Sequence, residues 1–219
     1  MIKLTTTDTS DLSAKHTLLE AAQRLFGAKG FEKVSLRALT QEAGVNLAAV
    51  NYHFGSKEGL IESVVESYMN PVNEERLRRL TEAEEESGIS LETIMDCYLR
   101  PVLEAVKRSA LSEKLFFQMM GRCMSDRGLE KLPASTLSLF EEVTTRFPQA
   151  MLRTNPHLTI EDILWRLHFT VGVLIHVLIH TEALSLFTQG RAGNPTTENI
   201  LTMVKSYCGA GIQAPSYEF

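Results

Sequence analysis

Strand signals are almost missing from this sequence. No hairpin dipeptide joins β-branched runs of period two, so an all-β fold or a parallel α/β sheet is excluded. Cysteine is scarce: Cys97, Cys123 and Cys208 are far apart, odd in number and without CxxC spacing. That excludes a disulfide framework or a zinc site and fits reduced thiols in a cytoplasmic protein. The first twenty residues, MIKLTTTDTSDLSAKHTLLE, have no apolar core of the kind a secretory signal needs. The most apolar run, Phe169 to Ile179, is shorter than a bilayer span and is flanked or interrupted by Arg166, His168, His176 and His180, so no membrane partner is expected. Positive charge is lacking as well. Residues 1–70 carry seven Lys or Arg against eight Asp or Glu, and the whole chain has a net charge of −5. Bulk electrostatic binding of nucleic acid is thereby excluded, and any DNA binding must use a few placed groups. Nucleophile elbows, phosphate loops and paired carboxylates in apolar settings are also missing, so neither an enzyme nor a cofactor is indicated.

What is present is helix. With 44% hydrophobic and 22% charged residues the 219-residue chain can bury a substantial core, and apolar residues recur at period 3.6. The first helix is expected from about Asp11 to Lys29, with Leu18, Leu19, Ala22, Leu25 and Phe26 inward and Gly30 as its stop. Ser35 caps a second, short helix, and Gly44 turns the chain into a third. Ser56 caps a fourth, expected to end near Asn70-Pro71, followed by a charged segment from Glu74 to Ser87. Further helices are expected from Leu91 to Arg108, from Glu113 to Met124, from Pro133 with an interruption at Pro148, and from Thr159 to about His180. Ala183 to Asn194 reads as a loop, and the last helix runs from Thr196-Thr197 to Gly209 and Gly211.

The stretch VNLAAVNYHFGSKEGL, Val45 to Leu60, combines a helix cap at Asn46, two helical turns carrying Asn51, Tyr52 and His53, a Gly55-Ser56 break, and a cation at Lys57. Helix, glycine turn and short second helix make a helix-turn-helix. Val45, Val50 and Phe54 would lock the second helix to the first helix and to Phe26. Its other side offers Leu47, Ala48, Asn51 and Tyr52, with His53 near the end. Asn can read an adenine edge, and Leu or Ala can meet a thymine methyl. Ser35, Arg37, Lys57 and the helix start at Ser56 are suited to phosphates, which position the protein while base contacts specify. Asn46 and Ser56 are caps whatever else they do, and Tyr52 and His53 have packing against the fourth helix as their alternative role.

The run LLEAAQRLFGAKGFEKVSLRALTQEAGVNLAAVNYHFGSKEGLI, Leu18 to Ile61, strongly resembles the DNA-binding domain of TetR-family transcriptional regulators, through AAQRLF, KGFEKVS, the AGVN turn and YHFGSKEGL. The resemblance implies an all-α protein, a homodimer, most often a repressor, that binds a double-stranded DNA operator and a small-molecule effector. Residues 1–55 would form the helix-turn-helix domain, and residues 56–219 an effector-binding and dimerisation domain that begins with the linking helix. Positions matched here by Ser35, Arg37, Asn46, Ala48, Asn51, Tyr52, His53 and Lys57 contact DNA in the family. Leu47-Ala48 departs from a Lys-Gly pair common there, which puts one phosphate contact in doubt. IEDILWRLHFTVG, Ile160 to Gly172, together with VNLAAVNYHFGSK is similar to the fatty-acid-responsive PsrA-type branch, which implies an acyl-chain or acyl-CoA effector.

Beyond residue 70 the residues themselves suggest two surfaces. Met95, Tyr98, Leu99, Val102, Phe116, Phe117, Met120, Phe140, Phe147 and Trp165 are candidates for a deformable apolar effector cavity, with an ordinary helical core as the alternative. Arg122 is a candidate partner for a ligand carboxylate or phosphate, or else for a salt bridge. The segment Thr159–His180 is apolar nearly all round and so must be buried on two sides. Leu167, Val171, Gly172, Ile175, Leu178, Ile200 and Val204 are assigned to a subunit interface. His176 and His180 share a helical face, but no carboxylate or cysteine of that helix completes a metal site. The competing reading is a lipid-binding or lipid-processing protein without DNA specificity.

Overall fold

A computed structural model describes residues 6–86, 88–109, 111–125 and 137–216. Among them the regular structure is helical: α1 (Thr6–Lys29), α2 (Leu36–Ala43), α3 (Leu47–Phe54), α4 (Lys57–Glu85), α5 (Leu91–Arg108), α6 (Glu113–Ser125), α7 (Glu141–Thr154), α8 (Ile160–Phe187) and α9 (Thr197–Gln213). Contacts divide the chain into two compact units. One holds residues 1–69 and 110–137, the other residues 70–109 and 138–219. Thus α4 contributes residues to both units, and α6 groups with α1 rather than with its neighbours in sequence. The division at 69/70 lies fourteen residues beyond the expected 55/56 boundary.

In the first unit Leu18, Ala21, Ala43 and Val50 form a buried cluster, with Leu36, Val45, Ala49 and Phe54 packed on it. Phe26 is buried edge-to-face against Phe31, their centroids 5.3 Å apart. Burial of each such side chain is worth roughly 1.5–3 kcal/mol, far more than the intrinsic propensity of eight-residue helices. Gly30, where α1 stops, has φ 84°.

In the second unit α8 packs against α9, α9 against α5, and α7 against both α5 and α8. Its core includes Ile94, Met95, Leu99, Phe147, Met151, Ile163 and Leu201. Arg76 is buried, and no carboxylate among the described residues pairs with it. Its Nε donates to the Tyr98 carbonyl at 2.8 Å, one terminal nitrogen donates to Asn73 Oδ1 at 3.1 Å, and the guanidinium lies 4.2 Å from the Tyr98 ring centroid. Asn73 in turn donates to the Leu139 carbonyl. Ion pairs Arg79–Glu104, Lys205–Asp96 and Arg100–Glu198 tie α4 to α5 and α5 to α9.

Several helix boundaries differ from those expected; the first helix, for one, begins at Thr6 and not near Asp11. Pro71 does not end the fourth helix, because Val72, Asn73, Arg76 and Leu80 are all buried beyond it. Losing one backbone hydrogen bond is outweighed by that burial. Pro148 likewise sits inside an unbroken α7, with Phe147 and Met151 buried around it; the start expected at Pro133 lies outside the described residues. The eighth helix continues past His180 to Phe187, so the loop is shorter than Ala183–Asn194. The last helix runs through Gly209 and Gly211 to Gln213. A Cβ at Gly209 would touch Met95 Sδ at 3.5 Å, so this glycine serves close packing on α5. What ends the helix is Pro215, which holds Ala214 extended at φ −58°, ψ 156°.

At 28 residues, with a mean hydropathy of 1.6 over its most apolar window, α8 is long and apolar enough to cross a membrane. The run Phe169–Ile179 is only part of this helix, which continues through Leu184, Leu186 and Phe187. Its exposed side, however, also carries Glu161, His168, His176, His180 and Glu182.

Candidate functional site

Three side-chain caps frame α3. Ser35 Oγ accepts the Ala38 N–H at 3.2 Å, Asn46 Oδ1 accepts the Ala49 N–H at 3.0 Å, and Ser56 Oγ accepts the Gly59 N–H at 3.1 Å. Each such cap is worth about 1 kcal/mol. The chain reverses between helices at Gly44 (φ 68°) and Gly55 (φ 72°), a left-handed backbone that any Cβ would strain. A further glycine has no counterpart in the expected site. A Cβ at Gly59 would stand 2.1 Å from the Phe54 carbonyl oxygen, so only glycine lets the first turn of α4 abut the end of α3. Its signal in the sequence is the glycine of SKEGL, inside a helix start where glycine is otherwise unfavourable.

With Val50 buried, α3 turns Leu47, Ala48, Asn51 and Tyr52 outward, all exposed, and Tyr52 is 75% exposed. Tyr52 therefore does not pack against α4 within this chain. Its ring meets that of His53 edge-on, centroids 4.9 Å apart, and His53, half-buried, also lies edge-on to Phe54. Ser35, Arg37 and Asn46 are exposed and Lys57 is half-buried beside them in sequence, at the start of α4. The nine expected residues thus occupy the starts of α2 and α4 and the outward row of α3. Leu47 is more than an uncharged substitute for a family lysine: it adds an exposed apolar group to that row.

The expected effector residues are dispersed. Met95, Leu99, Val102 and Phe147 are buried in the second unit, where the Tyr98 and Phe147 rings meet edge-on at 5.0 Å. Phe116, Phe117 and Met120 are buried in the first unit, and Phe140 is half-buried in the second. Arg122 has a structural partner. Its Nε donates to the Gly27 carbonyl at 3.0 Å and so joins α6 to the end of α1. The side chain of Cys123 lies outside the described residues. Cys97 and Cys208 are free thiols, and burial pushes both up from the ordinary thiol range.

Trp165 lines a half-open cavity of about 690 Å³ with Thr159, Glu161, Asp162, Arg166, Phe169 and Ser216. Arg166 is buried there, donating at 2.7 Å to the carbonyls of Ile212, Ala214 and Pro215. The Ser216 hydroxyl and the Thr159 cap hold the Asp162 carboxyl below the usual range. Within the interface set, Leu167, Ile200 and Val204 are buried in the chain's own core and so have no free side to offer a partner. Val171, Ile175 and Leu178 are half-buried and Gly172 is exposed. An all-round apolar helix has more than one apolar stripe, and packing against α7 and α9 shows which is used internally. Leu164 and Phe169 of α8 are exposed as well, as are Met203 and Tyr207 of α9.

A short helix held by a buried valine, presenting a polar outward row between capped neighbours, defines a helix-turn-helix protein with a second helical unit. The family profile "Bacterial regulatory proteins, tetR family" matches residues 18–64, and "Tetracyclin repressor-like, C-terminal domain" matches residues 96–211. The chain belongs to the TetR family of transcriptional regulators. It is 31% identical over 123 residues to the HTH-type transcriptional regulatory protein RaaS of Mycobacterium tuberculosis, covering 56% of this chain and 57% of that protein. It is 39% identical over 57 residues to the probable HTH-type transcriptional regulator YttP of Bacillus subtilis, covering 26% of this chain and 28% of that protein. Each match spans little more than half of these relatives, or less. A TetR-family structure from Shewanella sp. PV-4 is 15% identical with a TM-score of 0.60, over 91% of this chain and 96% of that one. The fatty acid degradation regulator FadR of Bacillus halodurans is 10% identical with a TM-score of 0.58, over 89% and 93%. These two share the fold.

Proposed function

We propose that this protein is a homodimeric repressor that binds a DNA operator through α3 and is released by an apolar small molecule. The outward row of α3 carries the reading: Asn51 and Tyr52 stand exposed on a helix whose opposite side is fully buried at Val50. Leu47 and Ala48 supply apolar contacts to thymine methyls, Asn51 a bidentate donor and acceptor for adenine, and Tyr52 and His53 donors for base edges or phosphates. Ser35, Arg37, Asn46 and Lys57, at helix starts, hold the backbone. With a net charge of −5 the protein relies on these few contacts. Two-fold symmetry through the free side of α8, with Val171, Gly172, Ile175 and Leu178, sets two reading helices one DNA turn or more apart.

The effector class is an acyl chain or acyl-CoA. Supporting it are the Met- and Phe-rich packing of Met95, Tyr98, Leu99, Val102 and Phe147, which can repack around a flexible apolar ligand, and the likeness of Ile160–Gly172 to a fatty-acid-responsive branch. Since α4 runs unbroken from beside α3 to Glu85, a ligand that favours one arrangement of α4 opposes DNA by linkage.

Fluorescence anisotropy with DNA from upstream of the protein's own gene, against scrambled DNA at one salt concentration, tests the first part. Specific binding roughly a thousandfold tighter is expected. Equal weak binding that persists with ligand-stripped protein across a genomic fragment selection would overturn it and favour the lipid-binding alternative. Indifference of the DNA complex to acyl chains of every length would remove the effector class.

A further inference from the structure

The two asparagines of the helix-turn-helix are not equivalent. Asn46 Oδ1 accepts the Ala49 N–H at 3.0 Å, so the acceptor half of its amide is committed to capping α3. Asn51 is exposed, and its amide makes no hydrogen bond among the described residues. A bidentate contact to an adenine edge needs the acceptor and the donor of one amide together, and of the two residues only Asn51 has both to offer. Leu47 precedes Asn51 by four residues and so shares its face, in the first turn of α3, where it is 50% exposed. Ala48 is exposed beside it and ends at Cβ, which leaves room for a base edge. The whole of α3, LAAVNYHF, contains neither Arg nor Lys. Those are the side chains that take the O6 and N7 acceptors of guanine, and the nearest cations in sequence, Arg37 and Lys57, belong to the first turns of α2 and α4.

We infer that the base pairs beneath the Leu47–Asn51 face of α3 are A·T, and that Leu47 is the residue that tells thymine from cytosine there, by covering the 5-methyl group of one thymine. This rests on the DNA reading of α3 and adds to it the composition of the half-site and the group that discriminates. In the major groove thymine differs from cytosine by an acceptor in place of a donor and by the methyl group. A leucine side chain has no polar atom, so the methyl is what it can sense. Four helical residues rise about 6 Å and successive base pairs are about 3.4 Å apart, so the thymine under Leu47 and the adenine under Asn51 lie about two base-pair steps from each other. Leu47 is wet in the free protein, and covering it against a methyl removes apolar surface from water on both sides of the contact. Against uracil or cytosine half of that gain is lost.

Operators are selected from random double-stranded DNA with the full, ligand-stripped chain. Each thymine of the selected site is then replaced singly by deoxyuridine, which keeps every hydrogen-bonding group and lacks only the methyl. Anisotropy at one salt concentration should find one thymine in each half-site at which uracil weakens binding about fourfold, the worth of one buried methyl. In Leu47→Ala, an exposed change that should leave the circular dichroism unaltered, the same replacement should cost less than about 1.5-fold. Replacing the adenine two steps away by 7-deazaadenine, which lacks N7, should weaken the wild type about tenfold and Asn51→Ala no further. A flat uracil scan, a uracil penalty that persists in Leu47→Ala, or guanine at the position paired with Asn51 overturns the assignment and leaves the DNA reading of α3 intact. Failure to select any operator overturns both.

Discussion

Gly59 approaches the Phe54 carbonyl so closely that a methyl group in place of its hydrogen would overlap the oxygen. The first turn of α4 thus abuts the backbone at the end of α3. Any change at residue 59 must move α3, α4 or both. Gly59→Ala should destabilise the protein by about 1–3 kcal/mol and weaken specific DNA binding, although residue 59 itself contacts no DNA in the proposed complex. Denaturant unfolding and anisotropy on the same preparation check this; wild-type values for both would show that the contact relaxes freely.

Tyr52→Ala removes an exposed ring, so stability should change by less than about 0.5 kcal/mol while operator affinity falls by about 1–3 kcal/mol. Lys57→Ala should weaken all DNA sequences alike and lower the salt dependence by about one unit of slope. Anisotropy over a salt series separates the two behaviours.

Acid should loosen the second unit through its carboxylates. The hydrogen bond from Arg78 holds Glu75 down at about 2; burial works against it, and Arg79 adds to it. Asp96 is also lowered: burial opposes this, but the bonds from Arg100 and Lys205 prevail. A carboxyl lower in the folded than in the unfolded chain contributes stability above its unfolded value, and that contribution is lost as pH falls toward the folded value. For Glu75 the window runs from about 4.5 down to about 2. Thermal unfolding of Glu75→Gln should show a shallower fall in stability over that window than wild type; parallel curves would contradict the assignment.

Arg166→Met removes three charge-assisted bonds to the carbonyls of Ile212, Ala214 and Pro215. A loss of several kcal/mol is expected, less than the sum of three bonds worth about 1.5–3 kcal/mol each, because water can reach the freed carbonyls. Amide exchange should rise first in the last turn of α9. Uniform exchange across the chain would mean that the residue supports the whole unit and not this end.

Gly172 is exposed on α8 and a Cβ there meets nothing within 4 Å in the chain itself. Gly172→Leu should therefore leave the protomer folded, gaining up to about 1 kcal/mol of helix propensity, and should shift the proposed dimer toward monomer. Sedimentation velocity reads this directly. An unchanged dimer would place the subunit contact elsewhere.

The residue pattern by itself determined the helical class, the three caps at Ser35, Asn46 and Ser56, and the outward row of α3, because these depend on contacts within a few residues and on a period of 3.6. Asn46 needs only the N–H of Ala49, three residues away, to be legible as a cap. The tertiary structure decided what depends on partners distant in sequence. Pro71, Gly209 and Gly211 are local breakers, yet the helices run through them; Val72, Arg76 and Leu80 are buried beyond the proline, and Gly209 lies against Met95. Arg122 looks available for an anion until its bond to Gly27, 95 residues away, is seen. In α8 apolar residues lie on more than one stripe, so periodicity could not separate Leu167, which faces the core, from Phe169, which does not. That choice belongs to α9 and to the end of the chain held by Arg166, since burial is a property of the packed whole while capping and helix period are properties of a short segment.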